Sequence, residues 1–139
     1  MIREYKENDL SAVNDIGQLI KDNFADLYKI NDFVGYDYAK IFVYEIDDIV
    51  AGFIQIEHHY EIVDIINIAV KKIYQNKGIA SSLIKYIVEN YECEKIMLEV
   101  KEDNTNAIIA YEKNGFKEIS RRKKYYGDKD AIIMERIVL

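Results

Sequence analysis

The amino-acid sequence predicts one domain of mixed α/β class. Its 139 residues match the usual length of a single domain. Short apolar runs typical of strands alternate with stretches whose apolar residues recur at helical spacing. One helical stretch lies between two strand-like runs, Ile62–Val70 and Ile96–Val100. Because a helix of that length usually connects parallel strands, we expect these two strands to be parallel.

The N-terminal third predicts a strand, a helix and a long loop. Residues 2–6 are strand-like, and Asn8 or Asp9 can cap the helix that follows. The apolar positions of this helix are Leu10, Val13, Ile16 and Ile20. Between residues 23 and 37 the apolar residues follow no single period, so we expect a loop with one short helix.

The middle of the chain predicts three successive strands. Ile41–Ile46 and Ile49–His58 are joined only by Asp47-Asp48, and so short a connection predicts a tight hairpin. The third run, Ile62–Val70, is almost continuously apolar. That pattern indicates a central strand buried on both faces.

The remaining elements are two helices and three strands. A helix begins after Gly78, and its apolar face is formed by Ala80, Leu83, Ile84, Ile87 and Tyr91. After the strand Ile96–Val100, Asn104 can cap a second helix, which Gly115 ends in the left-handed conformation. Two final strands, Phe116–Tyr125 and Ala131–Val138, flank a turn.

Composition excludes several classes of partner. The net charge of −6 argues against nucleic acid, whose binding proteins carry a basic surface, and is compatible with a cationic amine. No segment has the length of a membrane span or the pattern of a signal peptide. Cys93 is the single cysteine, which fits a reducing compartment. We therefore expect a cytoplasmic protein with no membrane partner and no metal site, either a monomer or a homodimer.

The turn from Gln75 to Ser81 is the first candidate binding element. Gly78 can adopt backbone angles that are closed to other residues, and the small Ala80 and Ser81 allow a ligand to approach the main chain. Because helix N-termini present free N–H groups and a partial positive charge, this turn can hold a phosphate. It matches neither a Walker loop nor a dinucleotide fingerprint.

Three ordered sequence blocks carry a family resemblance. The first is Asn67-Ile68-Ala69-Val70 followed by Gln75-x-x-Gly78-x-Ala80. The second is Leu98-Glu99-Val100, then Asn104, Ala107-Ile108, Tyr111-Glu112-Lys113 and Gly115-Phe116. The third is Arg121-Arg122-Lys123-Lys124-Tyr125-Tyr126 with Asp130-Ala131-Ile132-Ile133-Met134. Together they resemble the coenzyme A-binding core of the GNAT acetyltransferase superfamily, and within it the ribosomal-protein alanine N-acetyltransferase branch.

The resemblance implies a fold and a co-substrate. The implied GNAT fold is a central mixed, mostly antiparallel sheet of about seven strands flanked by helices, with a parallel, splayed strand pair in the middle. The implied co-substrate is acetyl-CoA, with its pyrophosphate on the Gln75–Ser81 turn and its pantetheine arm along the strand. The residues implied to bind it are Ile68, Ala69, Val70, Gln75, Asn76, Lys77, Gly78, Ile79, Ala80, Ser81, Asn104 and Tyr111.

The resemblance also implies the catalytic groups for attack of an amine on a thioester. Amines are mostly protonated near neutral pH, and Glu99 matches the family's general base. The backbone N–H of Val70 is the implied donor to the oxyanion. Tyr111 matches the general acid that protonates the leaving thiolate. The residues alone also allow a solvent-facing carboxylate at Glu99 and a core tyrosine at Tyr111.

The acceptor is the open part of the interpretation. Tyr125 and Tyr126 match paired tyrosines near the acceptor site of the branch, so both are candidates for substrate binding. The branch usually carries a Pro-Trp acceptor loop after its first helix, and this chain contains neither residue. The main hypothesis is transfer to a protein N-terminus or lysine. The alternatives are a small-molecule amine acetyltransferase and a non-catalytic acetyl-CoA-binding regulator, which would need neither Glu99 nor Tyr111.

Overall fold

The structure is a computed structural model and describes residues 1–138. Its strands are β1 (Ile2–Glu4), β2 (Ala39–Ile46), β3 (Ile49–His59), β4 (Ile62–Val70), β5 (Lys95–Lys101), β6 (Lys117–Tyr126) and β7 (Lys129–Ile137). Its α-helices are α1 (Leu10–Gly17), α2 (Phe24–Tyr28), α3 (Ile30–Phe33), α4 (Ile79–Asn90) and α5 (Thr105–Lys113). Short 3-10 turns at Glu7–Asp9 and Lys72–Tyr74 precede α1 and α4.

All the strands form one seven-stranded sheet in the order β1-β2-β3-β4-β5-β7-β6. Its pairs are antiparallel except β4 with β5, which is parallel. Helix α4 makes the crossover between these two strands. The predicted fold class and the predicted parallel pair in the middle of a mostly antiparallel sheet are therefore confirmed.

Each face of the sheet is covered by its own set of helices. On one face, which we call the α4 face, Leu83 and Ile84 of α4 join a core with Ile54 and Leu98, and α5 packs against it. On the other face, the α1–α3 face, Phe24 and the other buried side chains of the short helices pack on β2 and β3. Because successive side chains of a strand point to opposite faces of the sheet, neighbouring residues pack into different cores.

The predicted hairpin is confirmed, and its turn has a simple cause. Asp47 and Asp48 both have positive φ, 48° and 65°. A two-residue turn of this kind matches the right-handed twist of the flanking strands, and Asp tolerates the left-handed region better than most residues.

Two predictions of local structure in the N-terminal third were wrong. Helix α1 ends at Gly17, so Ile20 lies outside it. A side chain at Gly17 would lie 2.3 Å from the Phe24 ring, so the absence of one allows Phe24 of α2 to pack directly against the end of α1. The expected loop between residues 23 and 37 holds two short helices, α2 and α3.

Strand β4 is central, but it is not buried on both faces. Val63, Ile65 and Asn67 are buried, whereas the residues between them are half-buried, as are the last residues of the strand. Their partial exposure comes from a cleft beside the strand. The apolar residues of β4 therefore line the cleft as well as the protein core.

In the described part of the chain, no helix combines the length with the apolar character that crossing a membrane requires.

Candidate active site

The central parallel strands separate along their length. Strand β4 pairs with β5 only from Ile62 with Lys95 to Ile65 with Leu98, although β4 continues to Val70 and β5 to Lys101. The separation opens into a cleft of about 1970 Å³, which residues of α4, α5 and β6 also line. The predicted splay at the carboxyl ends of the strands is confirmed.

A β-bulge coincides with the point of separation. Ile65 pairs with Ile56 and Asn67 pairs with Gln55, which leaves Ile66 without a partner on β3. A bulge bends its strand and increases the local twist, so it turns the end of β4 away from β5. A buried 2.8 Å hydrogen bond from Asn67 Nδ2 to Gln55 Oε1 links the two strands at the bulge.

The turn after β4 has the features of an anion cradle. Gly78 occupies the N-cap of α4 with φ of 80°, and a Cβ there would meet nothing within 4 Å. The first bond of the helix runs from the Ser82 N–H to the Gly78 carbonyl. The N–H groups of residues 79–81 therefore precede the helical ladder and are available to a ligand. This open, positively polarised turn fits a pyrophosphate.

The edge of β4 offers main-chain groups to the cleft. The Lys71 N–H bonds to the Ala51 carbonyl of β3, so residue 71 points away from the cleft. Since successive residues of a strand alternate, the peptide groups of Val70 and Ile68 point into it. The Val70 carbonyl already accepts a hydrogen bond of 2.9 Å from Gln75 Nε2, which ties the turn to the end of the strand. An extended amide-containing ligand could pair with this edge.

Glu99 lies where the cleft begins. It is the first residue of β5 after Leu98, the last partner of β4. Leu98 and Val100 are buried in the core of the α4 face, so alternation places the Glu99 side chain on the α1–α3 face. Its carboxylate lies 3.3 Å from Arg122 Nε and 3.4 Å from the Tyr126 hydroxyl. These contacts hold a carboxylate at the point where the two strands begin to separate.

Tyr111 stands on α5, whose ends are both fixed. Asn104 caps the helix by accepting a 3.3 Å hydrogen bond from the Ala107 N–H. At the other end Gly115 has φ of 87°, and the Phe116 N–H bonds to the Tyr111 carbonyl at 3.0 Å, a Schellman closure. The Tyr111 ring then packs edge-on against Phe116, with centroids 6.0 Å apart. Both predicted caps of this helix are confirmed.

Burial sets the protonation state of Tyr111. Removal of the phenol from water raises the pKa of Tyr111 to about 12, because the charged phenolate is the form that burial disfavours. The hydroxyl therefore keeps its proton throughout the neutral range. It is therefore a protonated donor that can face negative charge developing in the cleft.

Most of the predicted site residues line this single cleft. They are Ile68, Ala69, Val70, Gln75, Asn76, Gly78, Ile79, Ala80, Ser81, Glu99, Asn104, Tyr111 and Tyr126. Lys77 and Tyr125 do not line it. Tyr125 is 55% exposed, and its ring lies 5.2 Å from the Arg122 guanidinium carbon. The alternation of β6 sends Tyr126 towards the cleft and Tyr125 away from it.

Sequence patterns did not identify which residues form the other wall of the cleft, although the family resemblance implies that the segment 23–37 governs the acceptor. Residues 19–21, which follow α1, and Tyr28, from the segment without periodicity, line it together with Asp64 and Arg122. Burial raises the pKa of Tyr126, with smaller contributions from the charge of Glu99 and, last, from Tyr28. No short-range pattern could place Tyr28 there, because it comes from a five-residue helix distant in sequence from β6.

The fold and the cleft define a class of protein: one whose two central parallel strands part and leave a cleft between a helix N-terminal turn and a carboxylate. Residues 9–116 match the family described as Acetyltransferase (GNAT) family. This match spans most of the chain, and the chain belongs to that family.

Named relatives and solved structures agree with the assignment. An N-alpha-acetyltransferase of Saccharolobus solfataricus is 32% identical over 150 residues, covering 91% of this chain and 89% of the relative. The crystal structure of Ard1 from Thermoplasma volcanium gives a TM-score of 0.89 at 28% identity, covering 100% of this chain and 97% of that one. The ribosomal-protein-S18-alanine N-acetyltransferase from Escherichia coli gives 0.86 at 27% identity, with coverage of 99% and 93%. The chain is an N-acetyltransferase that moves an acetyl group to an amine.

Proposed function

We propose that this enzyme transfers the acetyl group of acetyl-CoA to the α-amino group of a protein N-terminus, without a metal. One observation carries the proposal: Glu99 lies at the closed end of a cleft whose open end is an anion cradle at Gly78. A phosphate-bearing thioester laid between them would bring its carbonyl to the carboxylate. The similarity to the N-alpha-acetyltransferase of Saccharolobus solfataricus supports the choice of acceptor.

The donor is held by main-chain groups in this proposal. The pyrophosphate accepts hydrogen bonds from the N–H groups of residues 79–81, and the pantetheine amides pair with the free edge of β4. The strand from Ile66 to Val70 spans about 13 Å. A pantetheine arm paired along this edge would bring the thioester towards Ile66 and Glu99, where the N–H of Ile68 is nearer than that of Val70, the donor that the resemblance implies. We assign the oxyanion contact to Ile68, and the contact with the pantetheine arm to Val70.

The acceptor amine enters from the α1–α3 face. The opposite face is closed by buried side chains such as Ile65 and Leu98. Glu99 takes a proton from the ammonium, directly or through one water, and the freed nitrogen attacks the thioester carbon. The C–N bond forms and the C–S bond breaks. Tyr111 gives its proton to the sulfur as the C–S bond breaks. The second proton, which the attacking nitrogen loses on becoming an amide, returns to Tyr111 through solvent.

The sequence predicts a reducing compartment for this protein, and the proposed enzyme is compatible with one. Cys93 is a free, buried thiol, which a reducing environment preserves. We therefore propose that the enzyme acts in the cytoplasm.

An acceptor screen tests the proposal. The rate of thiol release from acetyl-CoA is measured with peptides beginning in Ala, Ser or Met, each with a free and a blocked α-amino group. Blocked peptides with an internal Lys and free polyamines complete the panel. We expect turnover only with free N-termini. Turnover with polyamines alone would refute the protein acceptor, and tight acetyl-CoA binding without turnover on any amine would refute the enzyme.

A further inference from the structure

A second carboxylate, Asp64, faces the acceptor side of the cleft. It stands on β4, paired with Met97 of β5 and Glu57 of β3. Paired residues share a face of the sheet, and Met97 shares its face with Glu99 two residues further along. Asp64 therefore lies on the α1–α3 face with Glu99. Asp64 is half-buried and lines the cleft.

The other charged side chains around Asp64 have partners. Glu57 pairs with His59 at 2.9 Å, and Glu99 pairs with Arg122 at 3.3 Å. On β5, the next cation along the same face, Lys95, pairs with Glu135 at 3.7 Å. Among residues 1–138, Asp64 alone of these carboxylates has no ion pair within 4.0 Å and no side-chain hydrogen bond.

An unpartnered carboxylate in this position is energetically unfavourable. Burial first, and then the charge of Glu57, raise the pKa of Asp64 because both disfavour a negative charge, and a smaller contribution from His59 lowers it. A cation brought to Asp64 would relieve both effects. A bound cation is therefore the ligand that this wall of the cleft complements.

A neighbouring amide adds a second acceptor. Asn67 lines the cleft, and its Nδ2 is committed to Gln55 Oε1. Its amide oxygen is thus the part left for a ligand. An ammonium or guanidinium group needs such hydrogen-bond acceptors around it.

The spacing from the catalytic carboxylate fixes where this cation sits in the substrate. Two residues along a strand and one strand across separate Asp64 from Glu99 by about 8 Å. A Lys or Arg side chain in the first or second residue of a peptide spans that distance from the reacting nitrogen. A free diamine of similar length has the same chemistry.

We propose that Asp64 makes this enzyme select acceptors that carry a second positive charge, namely peptide N-termini with Lys or Arg among their first two residues. This inference rests on the proposed function, since it places the reacting amine at Glu99.

Peptide series test the selection directly. The kcat/KM values are measured for peptides Ala-X, with X as Lys, Arg, Met or Glu, using the wild-type enzyme and Asp64→Asn. We expect the wild type to favour Lys over Met by about tenfold, mainly through KM, and Asp64→Asn to bring this ratio near one while kcat for the Met peptide is kept. The matched control is Glu57→Gln, which removes a neighbouring charge that does not line the cleft and should leave most of the preference.

Several outcomes would overturn the inference. Equal kcat/KM values of the wild-type enzyme for the Lys and Met peptides would refute the inference. This outcome needs no variant, so it does not depend on whether Asp64→Asn folds. An equal loss of kcat for all peptides in Asp64→Asn would assign Asp64 to proton transfer. If the Asp64 and Glu57 variants lower the Lys preference equally, the preference comes from the overall negative charge near the cleft and not from a contact with Asp64.

A diamine separates this inference from the proposed function. Butane-1,4-diamine is compared with butylamine in the same assay. Peptides acetylated without a charge preference would refute the role of Asp64 and leave the proposed function. If the enzyme acetylates the diamine in preference to butylamine and uses no peptide, the peptide acceptor is refuted. Selection of a second positive charge by Asp64 would then still hold if Asp64→Asn loses the preference for the diamine, and it would be refuted if the preference remains.

Discussion

The hydroxyl of Tyr111 offers the sharpest test of the proposed chemistry. Tyr111→Phe removes one oxygen and keeps the ring that packs against Phe116. If that oxygen supplies the proton to the thiolate, its loss removes general acid catalysis, which is worth about 10²- to 10⁴-fold. The barrier then rises by about 3 to 5 kcal/mol. We expect kcat to fall in that range.

The same substitution has little reason to change folding or donor binding. The hydroxyl forms no hydrogen bond with any residue from 1 to 138, so its removal leaves no partner unsatisfied. Stopped-flow or continuous thiol detection gives kcat, calorimetry gives the Kd for acetyl-CoA, and thermal unfolding gives stability. The matched control is Tyr60→Phe, in a turn where the side chain is 95% exposed, which we expect to leave all three values unchanged.

The pH profile provides an independent check on the same group. A phenol with its pKa raised to about 12 remains protonated far above neutral, whereas an ordinary tyrosine is about one-tenth ionised at pH 9. The wild-type kcat should therefore show no alkaline decline up to about pH 10. A turnover number in Tyr111→Phe within about twofold of wild type would remove Tyr111 from the mechanism. A wild-type decline beginning near pH 9 would contradict the effect of its burial.

Three further predictions concern the base, the glycine at the turn, and the Arg3–Asp9 ion pair. Glu99→Gln should lower kcat/KM by about 10²-fold, most at low pH where free amine is scarce, and a small uniform loss would leave Glu99 a structural role. Gly78→Val should lower the free energy of unfolding by about 1–2 kcal/mol because of the φ of 80° at this position, and it should weaken acetyl-CoA binding. The control Gly127→Val, with φ of 76° and equally open space, should lower stability without changing acetyl-CoA binding. Equal acetyl-CoA affinity in the two variants would refute the role of the turn at Gly78. The Arg3 hydrogen bond holds the pKa of Asp9 below its usual range, so the pair stabilises the fold above about pH 4 and this is lost as pH falls through the lowered pKa. Asp9→Asn should lower stability at pH 7 and flatten its acid dependence, and an unchanged acid transition would contradict this linkage.

Elements coded by neighbouring residues were predictable from the sequence. The hairpin at Asp47-Asp48, the N-cap at Asn104 and the left-handed glycines at 78 and 115 each depend on a few adjacent positions. The local backbone requirement is read directly from the residue type. The parallel pairing of β4 with β5 was predictable because the two strands are joined by a helix, which is the usual crossover connection between parallel strands.

The failures share a physical cause. An apolar run such as Ile62–Val70 reports that side chains avoid water, but it does not say whether a protein core or a bound ligand covers them. The bulge at Ile66 depends on the register with β3, a long-range pairing that the run itself does not encode. Asp64 was overlooked for the same reason, because a lone carboxylate in an apolar strand gains its meaning from neighbours on other strands.

The two halves of the candidate site therefore differ in how the sequence encodes them. Acetyl-CoA is proposed to contact groups from one continuous stretch, from Ile68 to Tyr111, and mainly backbone groups placed by a turn and helix caps. The acceptor side combines Tyr28 of α2, Asp64 of β4 and Tyr126 of β6, which meet only after the whole sheet has formed. A pattern along the chain can specify the first arrangement, because local geometry creates it. It cannot specify the second, and the charge that selects the acceptor must be sought among the side chains that the completed sheet leaves without a partner.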